Sequence, residues 1–162
     1  MRKLIVNIIT QLQDIQEASL WMGENFDKKL SALNEVEAFT RPHTKMHSPA
    51  EIISHLTVWR KEAILKITTG TGSITDESEE NWLSNDKLRR IGWDRIKNEY
   101  GKSLSKLVEL LKVQDDDFLM EKYYDTDFKG YYDYSFLING MLHHDIYHLG
   151  QLGIIIKLIK EN

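Results

Sequence analysis

Residues 136–159 read FLINGMLHHDIYHLGQLGIIIKLI, and within this stretch His144-Asp145-Ile146-Tyr147-His148 interrupts a long apolar run with two imidazoles four positions apart. On a helix, Leu137, Met141, His144, His148, Leu152, Ile155 and Ile159 fall on one face at steps of three and four. Both histidines therefore point where the core belongs. Side chains four apart sit roughly 5–6 Å apart at Cβ, so both rings can reach one ion that binds nitrogen at about 2.0–2.1 Å. The predicted helix begins near Ser135 and runs to about 160.

Working outward, Ser48-Pro49-Ala50-Glu51 is a helix start: Ser as cap, Pro at the first helical position, Glu closing a capping box. A helix over about 49–69 follows, with Ile52, His55, Leu56, Trp59, Ala63 and Ile67 as its inward stripe. His55 on that stripe is the natural third ligand. Ile5, Ile8, Leu12, Ile15, Ser19, Met22 and Phe26 predict one helix over about 2–30, and Trp93 to Leu111 predict another over about 88–113. Gly70-Thr71-Gly72-Ser73 and the acidic 76–80 make a long surface loop, and the tyrosine-rich 118–134 segment an irregular ribbon around Asp127-Phe128-Lys129-Gly130. Four long helices read as an all-α antiparallel bundle, one domain over 1–162 without repeat or linker.

Composition removes several functions. With 162 residues, 41% hydrophobic and 28% charged, the chain is in the globular range. Its net charge of −4, without a Lys/Arg stripe, speaks against nucleic-acid binding. No cysteine is present, so any metal is held by His and carboxylate, and no cysteine nucleophile exists. The basic-apolar start is read as a helix start rather than a leader, and no apolar run is long enough to span a membrane. A soluble cytoplasmic protein is the expectation. No Gly-x-Ser-x-Gly or phosphate loop occurs.

Three inward imidazoles leave an ion at least one open position, as catalytic sites require. Nitrogen donors without sulfur suit zinc, nickel, iron or copper, and affinity order alone does not choose among them; the expectation is a divalent transition metal, zinc or nickel before iron or copper. The competing reading is three core histidines, each hydrogen-bonded to backbone or neighbours. His43, His47 and His143 read as surface residues. Asp145 and Gln151 either orient a ligand ring or face solvent. Trp59, Trp82 and the tyrosines of 123–134 are candidates to wall a pocket. A second stripe on the last helix, Ile138, Leu142, Leu149 and Ile156, is either a dimer seam or covered within one subunit.

The segments His144-Asp145-Ile146-Tyr147-His148-Leu149-Gly150-Gln151-Leu152 and Ser48-Pro49-Ala50-Glu51-Ile52-Ile53-Ser54-His55-Leu56 resemble the last-helix and second-helix motifs of the DinB-like (damage-inducible) superfamily. The resemblance spans nearly the whole chain. It implies a four-helix bundle with a long crossover between helices two and three, a His55, His144, His148 metal triad, and a homodimer. Members of that superfamily include transferases that add a low-molecular-weight thiol such as bacillithiol to a small electrophile, mycothiol-dependent isomerases, and proteins without known activity. The resemblance thus leaves three expectations open: a metal-dependent thiol S-transferase, a metal-dependent hydrolase, and a non-catalytic, stress-associated dimeric metalloprotein.

Overall fold

The computed structural model describes residues 1–161. In chain order it contains α1 (Lys3–Glu17), α2 (Phe26–Ser31), α3 (Glu35–Ala38), α4 (Pro49–Thr69), α5 (Asn85–Ile91), α6 (Trp93–Lys112), a 3-10 turn (Asp117–Met120), β1 (Lys122–Asp125), β2 (Gly130–Asp133) and α7 (Tyr134–Glu161). The long helices α1, α4, α6 and α7 form the expected bundle.

Two apolar clusters fix the direction of each helix. One joins Ile15 at the end of α1, Ile52 and Leu56 early in α4, Trp93 and Ile96 at the start of α6, and Leu152 and Ile155 late in α7. The other joins the opposite ends: Ile5 and Leu12, Ala63, Leu107 and Leu111, Leu137 and Met141. So α1 and α7 run one way and α4 and α6 the other. Both α1 and α4 pack against α6 and α7. Since α4 and α6 are parallel neighbours, the chain must return the length of the bundle between them. Residues 70–92 are that return, and they form the long crossover.

The ends of α4 follow their sequence signals. Ser48 Oγ accepts from the Glu51 amide while Glu51 reaches back to the Ser48 amide, and Gly70, at φ +76°, closes the helix in the left-handed conformation. Asp133 accepts from the Phe136 amide at 2.9 Å and so starts α7.

The single helix expected over 2–30 is two helices. After Glu17 the backbone of Ala18 turns extended (ψ 164°), and Asn25 caps a new helix by accepting from the Lys28 amide. Ile5, Ile8, Leu12 and Ile15 are buried, whereas Met22 is exposed and the fully buried Phe26 belongs to α2. The helix expected over 88–113 likewise divides at Gly92, whose φ of +89° no other residue type adopts readily. The ribbon is a short antiparallel hairpin pairing Tyr123 with Tyr132 and Tyr124 with Tyr131. Its turn is held by Asp125 Oδ1, which accepts from the amides of Asp127 (3.0 Å) and Phe128 (3.1 Å).

The second stripe of the last helix is no seam. Ile138, Leu142, Leu149 and Ile156 are at most 7% exposed within one chain. Among the described residues, no helix is long and apolar enough to cross a membrane.

Candidate metal centre

Because α4 and α7 run antiparallel side by side, the second turn of α4 meets the middle of α7. This brings His55 to His144 and His148, and one ligand atom from each lies within 4.8 Å of the others. His55 Nε2 is 2.9 Å from His144 Nε2, and His148 Nε2 is 3.0 Å from the same atom. Three Nε2 atoms face one another.

The far side of two rings decides what those atoms carry. His55 Nδ1 donates to the carbonyl of Asn81 at 3.0 Å, and a carbonyl can only accept. His148 Nδ1 donates to Gln151 Oε1 at 2.7 Å. A neutral imidazole has one N–H, so the Nε2 of both rings presents a bare lone pair to the centre. His144 can donate to one of them and leaves the other opposed. Protonation does not relieve this: burial, reinforced by the neighbouring rings, lowers His144 to about 3 and His148 to about 4. A cation answers all three lone pairs at once, so the residues present fit a metal ion. Three separately paired core histidines would each find a protein partner, whereas here only His55 and His148 are paired on the Nδ1 side and the three Nε2 atoms meet only one another.

The crossover loop closes this centre. Asn81, only 3% exposed, also accepts from Trp59 Nε1 through Oδ1 at 2.8 Å and donates through Nδ2 to the Asp76 carbonyl at 3.0 Å. The Trp82 ring stacks on His55 at 3.9 Å and 6°. On its other face lies His47, at 3.8 Å and 9°. His47, its side chain still 43% exposed, is the outer layer of a three-ring stack. His43 and His143 are exposed, as anticipated.

Gln151 does orient a candidate ligand ring. Asp145 neither does so nor faces solvent: fully buried, it pairs with the equally buried Arg60 at 2.7 Å, and Arg60 also donates to Tyr100 Oη at 3.0 Å. Farther along α4, the buried Lys66 lies 2.9 Å from Asp125 and 3.8 Å from Glu62. Sequence reading missed Arg60 and Lys66, although one signal was available. Arg60 sits between Leu56 and Ala63 at inward spacing, and a charge at such a position implies a buried partner.

The three histidines open into a cavity of about 550 Å³ walled by Trp59, Trp82, Phe136, Met141 and Tyr147. The expected tryptophans do wall it, and of the tyrosine-rich segment Tyr123 contributes.

A helical bundle with a crossover and an open, buried three-histidine centre is the class that fold and site define together. The chain belongs to the DinB superfamily, whose sequence profile matches residues 20–152. No curated protein matches it. Among solved structures, its fold is similar to that of the mycothiol-dependent maleylpyruvate isomerase (TM-score 0.69, 12% identity, 92% of this chain and 60% of that one). This chain thus spans less than two thirds of the isomerase. It is also similar to YfiT from Bacillus subtilis, described as a probable metal-dependent hydrolase with an unusual four-helix bundle topology (TM-score 0.58, 13% identity, 94% of this chain and 87% of that one).

Proposed function

We propose that this protein is a metal-dependent thiol S-transferase, with His55, His144 and His148 holding a divalent transition metal, zinc or nickel before iron or copper. The observation that carries the reading is the convergence of three Nε2 atoms, two with their lone pairs fixed inward by Asn81 and Gln151. Bound there, such a metal supplies a Lewis acid that favours the thiolate form of a thiol at neutral pH.

The chain's own residues do the rest. The Asn81 carbonyl and Gln151 Oε1 hold two rings in tautomer and orientation, Trp82 pins the His55 plane, and Trp59 and Trp82 give the cavity an apolar wall beside the reacting pair. The sulfur comes from a low-molecular-weight cosubstrate, since the chain has no cysteine. The thiol gives its proton to solvent, its sulfur forms a C–S bond to a small electrophile, and the leaving group departs with the bonding pair.

A second reading puts water in place of the thiol. The fold likeness to YfiT supports it. The non-catalytic reading has less support, because structural metal sites are closed whereas this one opens into a cavity.

The test is a conjugation assay on zinc- or nickel-loaded protein, with bacillithiol and cysteine as thiols and monochlorobimane and chlorodinitrobenzene as electrophiles. Metal-dependent conjugate formation that disappears in His148→Ala, with the circular dichroism spectrum unchanged, is expected. Ester or amide cleavage without thiol consumption would favour the hydrolase, and unaltered conjugation by the variant would overturn the scheme. The same reading takes the protein to be a cytoplasmic homodimer. Support for association is the uncharged outer row of α7, with Phe136, Ile146, Tyr147 and Ile154 each at least 44% exposed. Sedimentation equilibrium at micromolar concentration is expected to give twice the mass of the 19.0 kDa chain, and a monomer would remove this part of the proposal.

A further inference from the structure

The cavity beside the three histidines has a charge pattern that restricts what can enter. Its lining contains one lysine, Lys66, against three aspartates, Asp76, Asp125 and Asp127. The lysine is already matched: its ammonium lies 2.9 Å from Asp125 and 3.8 Å from Glu62, and its side chain is 3% exposed. An incoming anion would have to compete with two carboxylates for it. Asp125 is equally committed, accepting from Lys66, from Tyr123 Oη at 3.1 Å and from two amides of the hairpin turn.

The other two carboxylates are in a different position. Asp127 Oδ1 accepts from the Asp76 amide at 3.0 Å, which ties the hairpin turn to the crossover loop at the cavity mouth. Among the described residues neither Asp76 nor Asp127 makes an ion pair. Asp76 is also close to the metal centre along the chain of contacts, since its carbonyl accepts from Asn81, whose own carbonyl accepts from His55. The same lining carries the aromatic side chains of Trp59, Trp82, Phe128, Phe136 and Tyr147. Aromatic faces attract cations, ammonium groups above all, and repel anions.

We infer that the cavity takes a cationic small molecule, with an ammonium or guanidinium end against Asp76 and Asp127 and an apolar body on the aromatic walls. This rests on the thiol-transfer reading and deepens it by naming the charge of the electrophile that lies beside the metal centre.

The test uses metal-free protein, so that it does not depend on the metal or on a thiol. Intrinsic tryptophan fluorescence, to which Trp59 and Trp82 contribute, is titrated with 2-phenylethylammonium and with 3-phenylpropionate, two probes of one shape and opposite charge. At least tenfold tighter binding of the ammonium is expected, and the double variant Asp76→Asn, Asp127→Asn should bring the two probes within threefold of each other. Equal or tighter binding of the carboxylate, a preference that survives in the double variant, or no binding of the ammonium would each overturn the inference. The thiol-transfer reading is examined separately on cobalt-loaded protein, through the sulfur-to-metal charge-transfer band on adding 2-mercaptoethanol. Absence of that band with the ammonium preference intact would refute thiol binding and leave the cationic pocket standing.

Discussion

Among the described residues, hydrogen bonds hold the Nδ1 atoms of His55 and His148, while none holds that of His144. The two fixed rings therefore preorganise the centre, and their outer partners matter for affinity almost as the ligands do. Gln151→Leu is expected to weaken zinc binding about 10–100-fold without unfolding the protein, read by competition with a chromophoric chelator. An unchanged affinity would mean that His148 needs no partner. The Arg60–Asp145 pair, with both side chains fully buried, is structural by contrast. Removing one partner, as in Asp145→Leu, should cost about 3–5 kcal/mol, whereas Arg60→Met with Asp145→Leu should cost less than the sum of the single changes. Urea denaturation of the three variants measures this, and additivity would argue against a direct pair. These two cases mark what was legible at this scale. His144 and His148 announce themselves by local spacing, and His55 by lying on an apolar stripe. Asn81, Trp82 and His47 carry no periodic signal, because they reach the centre from loops and their contacts are set by the path of the crossover.

Elements were legible where side chains cap them and illegible where the backbone alone breaks them. Ser48, Pro49 and Glu51 advertise the start of α4, and Gly70 its end. The apolar period read for this helix starts only at Trp93, so periodicity carries no sign of the break at Gly92 and reads one helix where there are two. What separates them is a φ of +89° with ψ 146°, which makes Gly92 both the end of α5 and the start of α6. A Cβ there meets nothing within 4 Å. The cost of Gly92→Ala is therefore conformational, about 1–3 kcal/mol for a non-glycine residue held in a region reserved for glycine. A urea midpoint shift of that size is expected. A loss below about 0.5 kcal/mol, the range of a neutral surface change, would mean that the junction relaxes to an ordinary helical bend. The break after Glu17 was hidden for a related reason: Met22 and Phe26 continue the numerical stripe although the chain between them has already left the helix.

Across the whole molecule, the fold brings three imidazoles together with their lone pairs opposed, which ties stability to pH and, on the proposed metal reading, to metal. A metal that binds only the folded state stabilises it by mass action, about 2.7 kcal/mol when free metal is 100 times its dissociation constant. In a chain of this size that corresponds to roughly 5–10 °C in Tm, at about 2–4 °C per kcal/mol. Acid acts in the opposite sense. In the metal-free protein His144 is lowered from 6.5 to about 3 and His148 from 6.5 to about 4, by burial first and neighbouring rings second. Between pH 6.5 and these values the unfolded chain takes up protons that the folded chain refuses, so stability rises with pH and falls on acidification. The contribution is fully present above pH 6.5 and is lost progressively toward pH 3–4. Paired carboxylates such as Glu51, already held below their ordinary value of 4.5, add their own acid sensitivity only at the lower end of this range. The informative window is accordingly pH 6.5 to 5. There the metal-free protein should lose stability steadily in urea unfolding, and His144→Asn, which removes one refusing ring, should flatten the slope while abolishing zinc-dependent stabilisation. A wild-type slope of zero across this window would mean that the rings protonate freely in the folded state, and the opposed lone pairs at the centre of the argument would not exist.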